Sequence, residues 1–216
     1  MDTTWPGPRH TNQPLGGLGC WAGVAAVAVV FGAFAVAIAL SPSFALGANA
    51  LSALGDRTHP AGTAATAVAF NGGLIVGGAL GVVFAIGLAL SVDGLLARLG
   101  AFLFGVTSTF LSAIGVFPQG HSLHFPVASG FYMLFSASVL VFGAGQLLVG
   151  RRRSGAVSIG AGLGNLAVWM VWIGSGGLRR SGLAIPELAG AIFVGLWVLV
   201  HARRMPSPDR QSQQPG

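Results

Sequence analysis

His121 and His124 stand three residues apart in FPQGHSLHFP, a spacing that on a helix puts both imidazoles on one face, where they could hold zinc together with an acid. The acids available for such a set are Asp56, in NALSALGDRTHPAG, and Glu187, in GLRRSGLAIPE. Pro118 and Gly120 argue for a loop rather than a helix here, and no HExxH or histidine-rich pattern is present, so no metal is expected. Ser52 with a histidine and an aspartate is formally a hydrolytic set, yet LSALG around it is no nucleophile elbow. Glu187 follows Pro186, so its carboxylate either caps a helix start and meets the positive end of the dipole or belongs to a site. His124, two residues before Pro126, either caps the following helix or lies at the level of the lipid headgroups. Arg179 and Arg180 either bind lipid phosphates or pair with Asp56 and Glu187. Cys20 is the one cysteine, which excludes an intramolecular disulfide and a cysteine metal cluster.

The elements that position these residues follow from composition. Of 216 residues 53% are hydrophobic and only 7% charged, and the mean hydropathy is +0.77. A soluble domain carries about 25% charged residues, so this chain lacks the polar surface to sit in water. A bilayer core about 30 Å thick needs roughly 20 apolar residues in helix. Six stretches meet that length, at about 20–40, 64–90, 95–117, 125–149, 156–176 and 185–202. Pro42, Pro60 and Pro118 fall between them, and Pro126 and Pro186 fall in first turns, where a helix tolerates proline. The expected fold is therefore all-α, a polytopic bundle of six transmembrane helices over residues 19–203. Residues 1–18 and 204–216, rich in Pro, Gln, Ser and Gly, read as disordered cytoplasmic tails. The first apolar run is too long for the 7–15-residue core of a signal peptide and is read as a retained span.

All eleven basic residues are arginines. With the N-terminus inside, eight of them (Arg9, Arg98, Arg151, Arg152, Arg153, Arg203, Arg204 and Arg210) lie on the cytoplasmic side and three (Arg57, Arg179 and Arg180) outside. That asymmetry predicts a multi-pass cell-membrane protein with both termini cytoplasmic. The net charge of +6 is spread over loops rather than gathered with aromatics, so nucleic acid is not an expected partner. The lack of lysine beside many Ala, Gly, Val and Arg residues suggests a GC-rich prokaryotic genome. The expected partners are the lipid bilayer and a lipid or small-molecule ligand; no cofactor is expected.

Helices in lipid associate through small residues and interhelical hydrogen bonds. Gly73, Gly77 and Gly81 in the second span and Gly160 and Gly164 in the fifth are read as contact faces. Asn71, Thr107, Thr109, Gln146 and Asn165 are polar residues within spans, and helix-to-helix bonding explains each of them. No charge lies near mid-membrane, where ion-coupled carriers hold one.

Three segments resemble a known family. Asn49–Gly55 is similar to the N-x-L-S-x-L-G segment of the membrane family called domain of unknown function 998. Phe70–Gly78 resembles its F-N-x-G-L-I-x-x-G, and Gly115–Pro118 with His124 and Ala128 resembles its G-x-F-P…H-x-x-x-A stretch. Pro186–Glu187 is similar to an acidic position at the head of its last helix. The likeness covers about residues 20–202 and implies a six-helix prokaryotic membrane protein with no assigned activity. It points to Ser52, Asn71, His124 and Glu187, while His121, Arg179 and Arg180 match none of its motifs.

These readings lead to an extracytoplasmic polar cluster of Ser52, Asp56, His124 and Glu187 that binds or modifies a lipid headgroup or small polar molecule. The first alternative is a passive transporter or accessory membrane subunit. The second is a membrane metallohydrolase built on His121, His124 and an acid.

Overall fold

The structure, a computed structural model, describes residues 13–177 and 181–205. Six α-helices are formed among the described residues: α1 (Gln13–Ala39), α2 (Ala64–Ser91), α3 (Leu95–Val116), α4 (His124–Leu148), α5 (Arg152–Gly174) and α6 (Ala184–Ala202). Leu51–Gly55 adds one 3-10 turn between α1 and α2, and there is no strand among the described residues. Every one of the six is long and apolar enough to cross a membrane. Helix is the expected form there, because hydrocarbon offers no partners to an unpaired backbone amide or carbonyl.

Each helix packs against its neighbours in the chain, and α6 closes the circle by packing against α1 as well as α5. Short connections between α2 and α3 and between α4 and α5 lie at one end, which also carries both ends of the described chain. The longer connections 40–63, 117–123 and 175–183 lie at the other, here named the loop end.

Glycine placement explains how closely α2 is held. A Cβ at Gly73 or Gly77 would collide with Ala33 or Val30 of α1, and one at Gly81 with Ser108 of α3. Gly164 faces the Phe193 ring of α6 in the same way. Gly160, expected in a contact face, has open space around it; Gly155 and Gly162 provide that helix's close approaches to α4 instead.

The bundle is closely packed toward the end that carries the termini of the described chain, and beside that packing lies an apolar cavity of about 60 Å³ lined by Val30, Phe34, Gly77, Ser108, Phe131 and Val194. Trp197 of α6 is 1% exposed and is surrounded by Phe84, Phe104, Phe135 and Phe142, with ring centroids 4.8 to 6.4 Å away. Its indole N–H donates to Ser158 Oγ at 2.9 Å, so the one polar atom of the ring is satisfied.

Two helix starts differ from expectation. Residues 13–18, assigned to a disordered tail, are the opening of α1, since Pro14 suits a first turn and the helix runs on into the apolar span. Helix α5 begins at Arg152 rather than 156, because Gly150, at φ +77°, reverses the chain within the connection and leaves the arginines inside the first turn. Residues 1–12 and 206–216, together with Arg179 and Arg180, lie outside the described residues.

Candidate functional site

The loop end is organised around Glu187. The residue sits four positions into α6, 8% exposed, and its carboxylate turns away from its own helix start toward the 3-10 turn. Leu51 N–H donates to Oε2 at 2.5 Å and the Ser52 hydroxyl to Oε1 at 3.2 Å. Glu187 therefore does not cap α6, as its place after Pro186 suggested, but fastens a distant turn onto it. Ala184 N–H donates to Asn49 O at 3.0 Å and Tyr132 Oη to Glu187 O at 2.9 Å, so α4, α6 and the 3-10 turn meet at one point.

Ser52 is the junction with the third connection. Its oxygen lies 3.0 Å from Gln119 Oε1 as well as 3.2 Å from Glu187 Oε1. One hydroxyl proton serves one acceptor at a time, so Ser52 donates to Gln119 Oε1 or to Glu187 Oε1. The hydroxyl thus links Gln119 to the acid of α6. No histidine bonds Ser52, so the hydrolytic arrangement is not assembled among the described residues.

Asp56 and His124 make no bond to these three side chains and are bonded locally. Asp56 Oδ1 accepts from the Thr58 hydroxyl at 2.7 Å and from Thr58 N–H at 2.8 Å. These bonds, the hydroxyl foremost, hold the carboxyl below its usual value. The same carboxylate faces Gly120, where a Cβ would stand 3.2 Å from Oδ2, and Gly120 has φ +94°. Glycine thus answers both the left-handed backbone and the closeness of the first loop to the second.

His124 Nδ1 bonds the Phe117 carbonyl at 2.8 Å; since a carbonyl only accepts, Nδ1 carries the proton and Nε2 is left to accept. His121 Nδ1 accepts from Leu123 N–H at 3.1 Å. Both rings close their own loop, and no group of three His, Cys, Asp or Glu side chains is placed to hold a metal among the described residues. The zinc reading loses its ligand set.

Asn71 completes the network from α2, donating from Nδ2 to Gly55 O at 3.0 Å while its Oδ1 is buried without a partner. Of the other polar residues within spans, Asn165 does bridge helices, to Tyr132 O and Ser136 Oγ of α4. Thr107 and Thr109 bond carbonyls of their own helix, four residues back. Thr107 and Asn165 are fully buried, and the Trp197 cluster packs the part of the interior toward the short connections.

Sequence reasoning brought Ser52 and Glu187 into one set but missed Gln119 and Tyr132. Gln119 was visible as the polar residue following Gly-x-Phe-Pro; Tyr132 carries no signal beyond being the sole tyrosine.

A family model described as Protein of unknown function (DUF998) matches residues 24–204. No curated protein and no solved structure matches the chain.

Proposed function

We propose a function from the premise that the chain belongs to this family of unknown function, DUF998: the loop end is a binding site for a lipid headgroup or small polar molecule. The observation that carries the reading is the Ser52 hydroxyl, held between Gln119 and Glu187 so that two connections and the head of α6 converge on one polar point. Gln119, Asp56 and His124 are only half-buried, while Ser52 and Glu187 are buried. Two carboxylates and a bare imidazole nitrogen suit a ligand that presents hydroxyl or amine donors. The arginine asymmetry supports a location of this end outside the cell membrane, with both termini cytoplasmic.

Native mass spectrometry of the full chain in nanodiscs of mixed phospholipids tests the reading. Wild type should retain a small-molecule or lipid adduct that Ser52→Ala loses. An adduct equally retained by folded Ser52→Ala, or none in wild type, would overturn it.

A second reading is favoured by a specific observation. Both Glu187 oxygens are already occupied and the centre of the bundle is packed, which suits a non-enzymatic membrane subunit whose loop end is only fastened shut. It predicts that Ser52→Ala lowers thermal stability and changes no adduct.

A further inference from the structure

At the end opposite the loops, a cavity of about 440 Å³ opens between α2, α4, α5 and α6. That volume lies within the range of small-molecule pockets, roughly 300–1,000 Å³. Arg151, Arg152, Arg153 and Arg204 line it, and no carboxylate does. Asp93 pairs with Arg151 at 2.8 Å, and this is the one ion pair among the described residues, so Arg152, Arg153 and Arg204 have no carboxylate partner there.

The backbone adds to the positive field. Helix α5 starts at this cavity with Arg151 as its N-cap and no side chain capping the free amides. A helix N-terminus favours anions and disfavours arginines, so the sequence places cations where the dipole alone would repel them. An anion between them offsets both effects.

An independent observation points into the same space. Gln146 of α4 lines the cavity, is 2% exposed, and its Nε2 has no hydrogen-bond partner. A buried amide donor without an acceptor is costly, and a turn of the Gln146 amide that brings Nε2, closed off from the surface as it stands, to the cavity wall would let a bound oxyanion supply the acceptor. The neighbouring His201 does not compete for that role. Its Nδ1 donates to Trp197 O at 2.9 Å and its Nε2 accepts from Ser154 Oγ at 3.1 Å, so the ring is fully bonded on the cavity wall.

We propose that this cavity binds a phosphate group, with Gln146 Nε2 and the α5 amides as directed donors and Arg152, Arg153 and Arg204 as its counter-charge. A phosphate of this kind is presented either by an anionic phospholipid headgroup or by free inorganic phosphate. The site is separate from the loop-end cluster and stands whether or not that cluster binds a ligand.

The test uses the full chain in nanodiscs. In phosphatidylcholine discs, thermal unfolding is followed with inorganic phosphate against chloride at equal ionic strength. In discs that also contain phosphatidylglycerol, native mass spectrometry compares retention of the two lipids. Arg152→Ala/Arg153→Ala removes two exposed arginines, and Gln146→Leu removes the buried donor at similar volume.

Stabilisation by phosphate identifies the free anion, and selective retention of phosphatidylglycerol identifies the headgroup; either supports the site. In both arms the double arginine variant should weaken binding by on the order of tenfold or more. Arg204→Ala, on the opposite wall, gives the same reading should the double variant not be recovered. No response to phosphate and no preference for phosphatidylglycerol in wild type, or binding unchanged in the arginine variants, would overturn the proposal.

Discussion

The backbone amide of Leu51 donates to the carboxylate of Glu187 at 2.5 Å, joining a turn after the first helix to the head of the last across 136 positions of sequence. Together with the Ser52 contact it makes one acid the common partner of a buried turn, every residue of which, Leu51 to Gly55, lies inside.

Removal of that acid should therefore cost more than an exposed substitution. Glu187→Ala leaves the Leu51 amide and the Ser52 hydroxyl without their acceptor, and hydrogen bonds to a charged group contribute about 1.5–3 kcal/mol each. A loss of about 3 kcal/mol is expected for Glu187→Ala and a smaller one for Glu187→Gln, which keeps an acceptor oxygen. Thermal unfolding of the two variants in detergent checks the order.

The glycines make a paired prediction. At Gly78 a Cβ would stand 2.5 Å from Ser108 O and 2.6 Å from Ser112 N, backbone atoms of α3 that cannot swing away. Gly78→Ala should destabilise by about 1–3 kcal/mol through overpacking. Gly160→Ala meets nothing within 4 Å and should be neutral or gain up to about 1 kcal/mol from helix propensity, provided the helix end is unchanged. Equal unfolding temperatures for the two would contradict the packing described.

Trp197 is the keystone of the apolar centre. Trp197→Ala removes a ring that touches four phenylalanines and leaves Ser158 without its donor, for an expected loss of about 3–5 kcal/mol. Liposomes containing wild type should show no greater solute leak than empty ones. A wild-type leak would show that the packed centre opens and would favour the passive transporter.

Acid should loosen the first loop before it affects the helices. The Asp56 carboxyl is held below its usual value of 3.8, so its contribution is present above that value and is lost as pH falls through the lower folded value. Protection of the Thr58 amide, taken as its exchange rate relative to the unstructured rate at each pH and measured down through pH 4 and below, should fall in wild type at the acid end. Asp56→Asn should exchange faster than wild type already at neutral pH and show no such acid step.

The six helices were legible because each span is a long apolar run with prolines only at its ends, a pattern that lipid leaves few ways to fold. Asn49–Gly55 and Pro186–Glu187 were legible as separate segments, and their polar types singled them out. What could not be read was the pairing. Nothing in the local pattern of Ser52 says that its acceptor lies 135 positions away, nor that Asp56 and His124 would spend their strongest bonds on their own loops. The phosphate cavity was hidden for a related reason. Arg151–Arg153 read as a topology signal and Gln146 as helix glue until the fold set them around one space with His201.

Gln119 separates a binding site from a fastening more directly than any other residue. Its side chain touches Ser52 from the rim, while Glu187 keeps its bonds to Leu51 and Ser52 without it. Native mass spectrometry of Gln119→Leu beside wild type, in the same mixed-phospholipid nanodiscs, is the decisive measurement. The account predicts that the wild-type adduct is lost while the unfolding temperature stays within a degree or two, roughly the effect of a change under 0.5 kcal/mol. An adduct that survives in the folded variant would contradict it, and the loop end would then be a fastening alone.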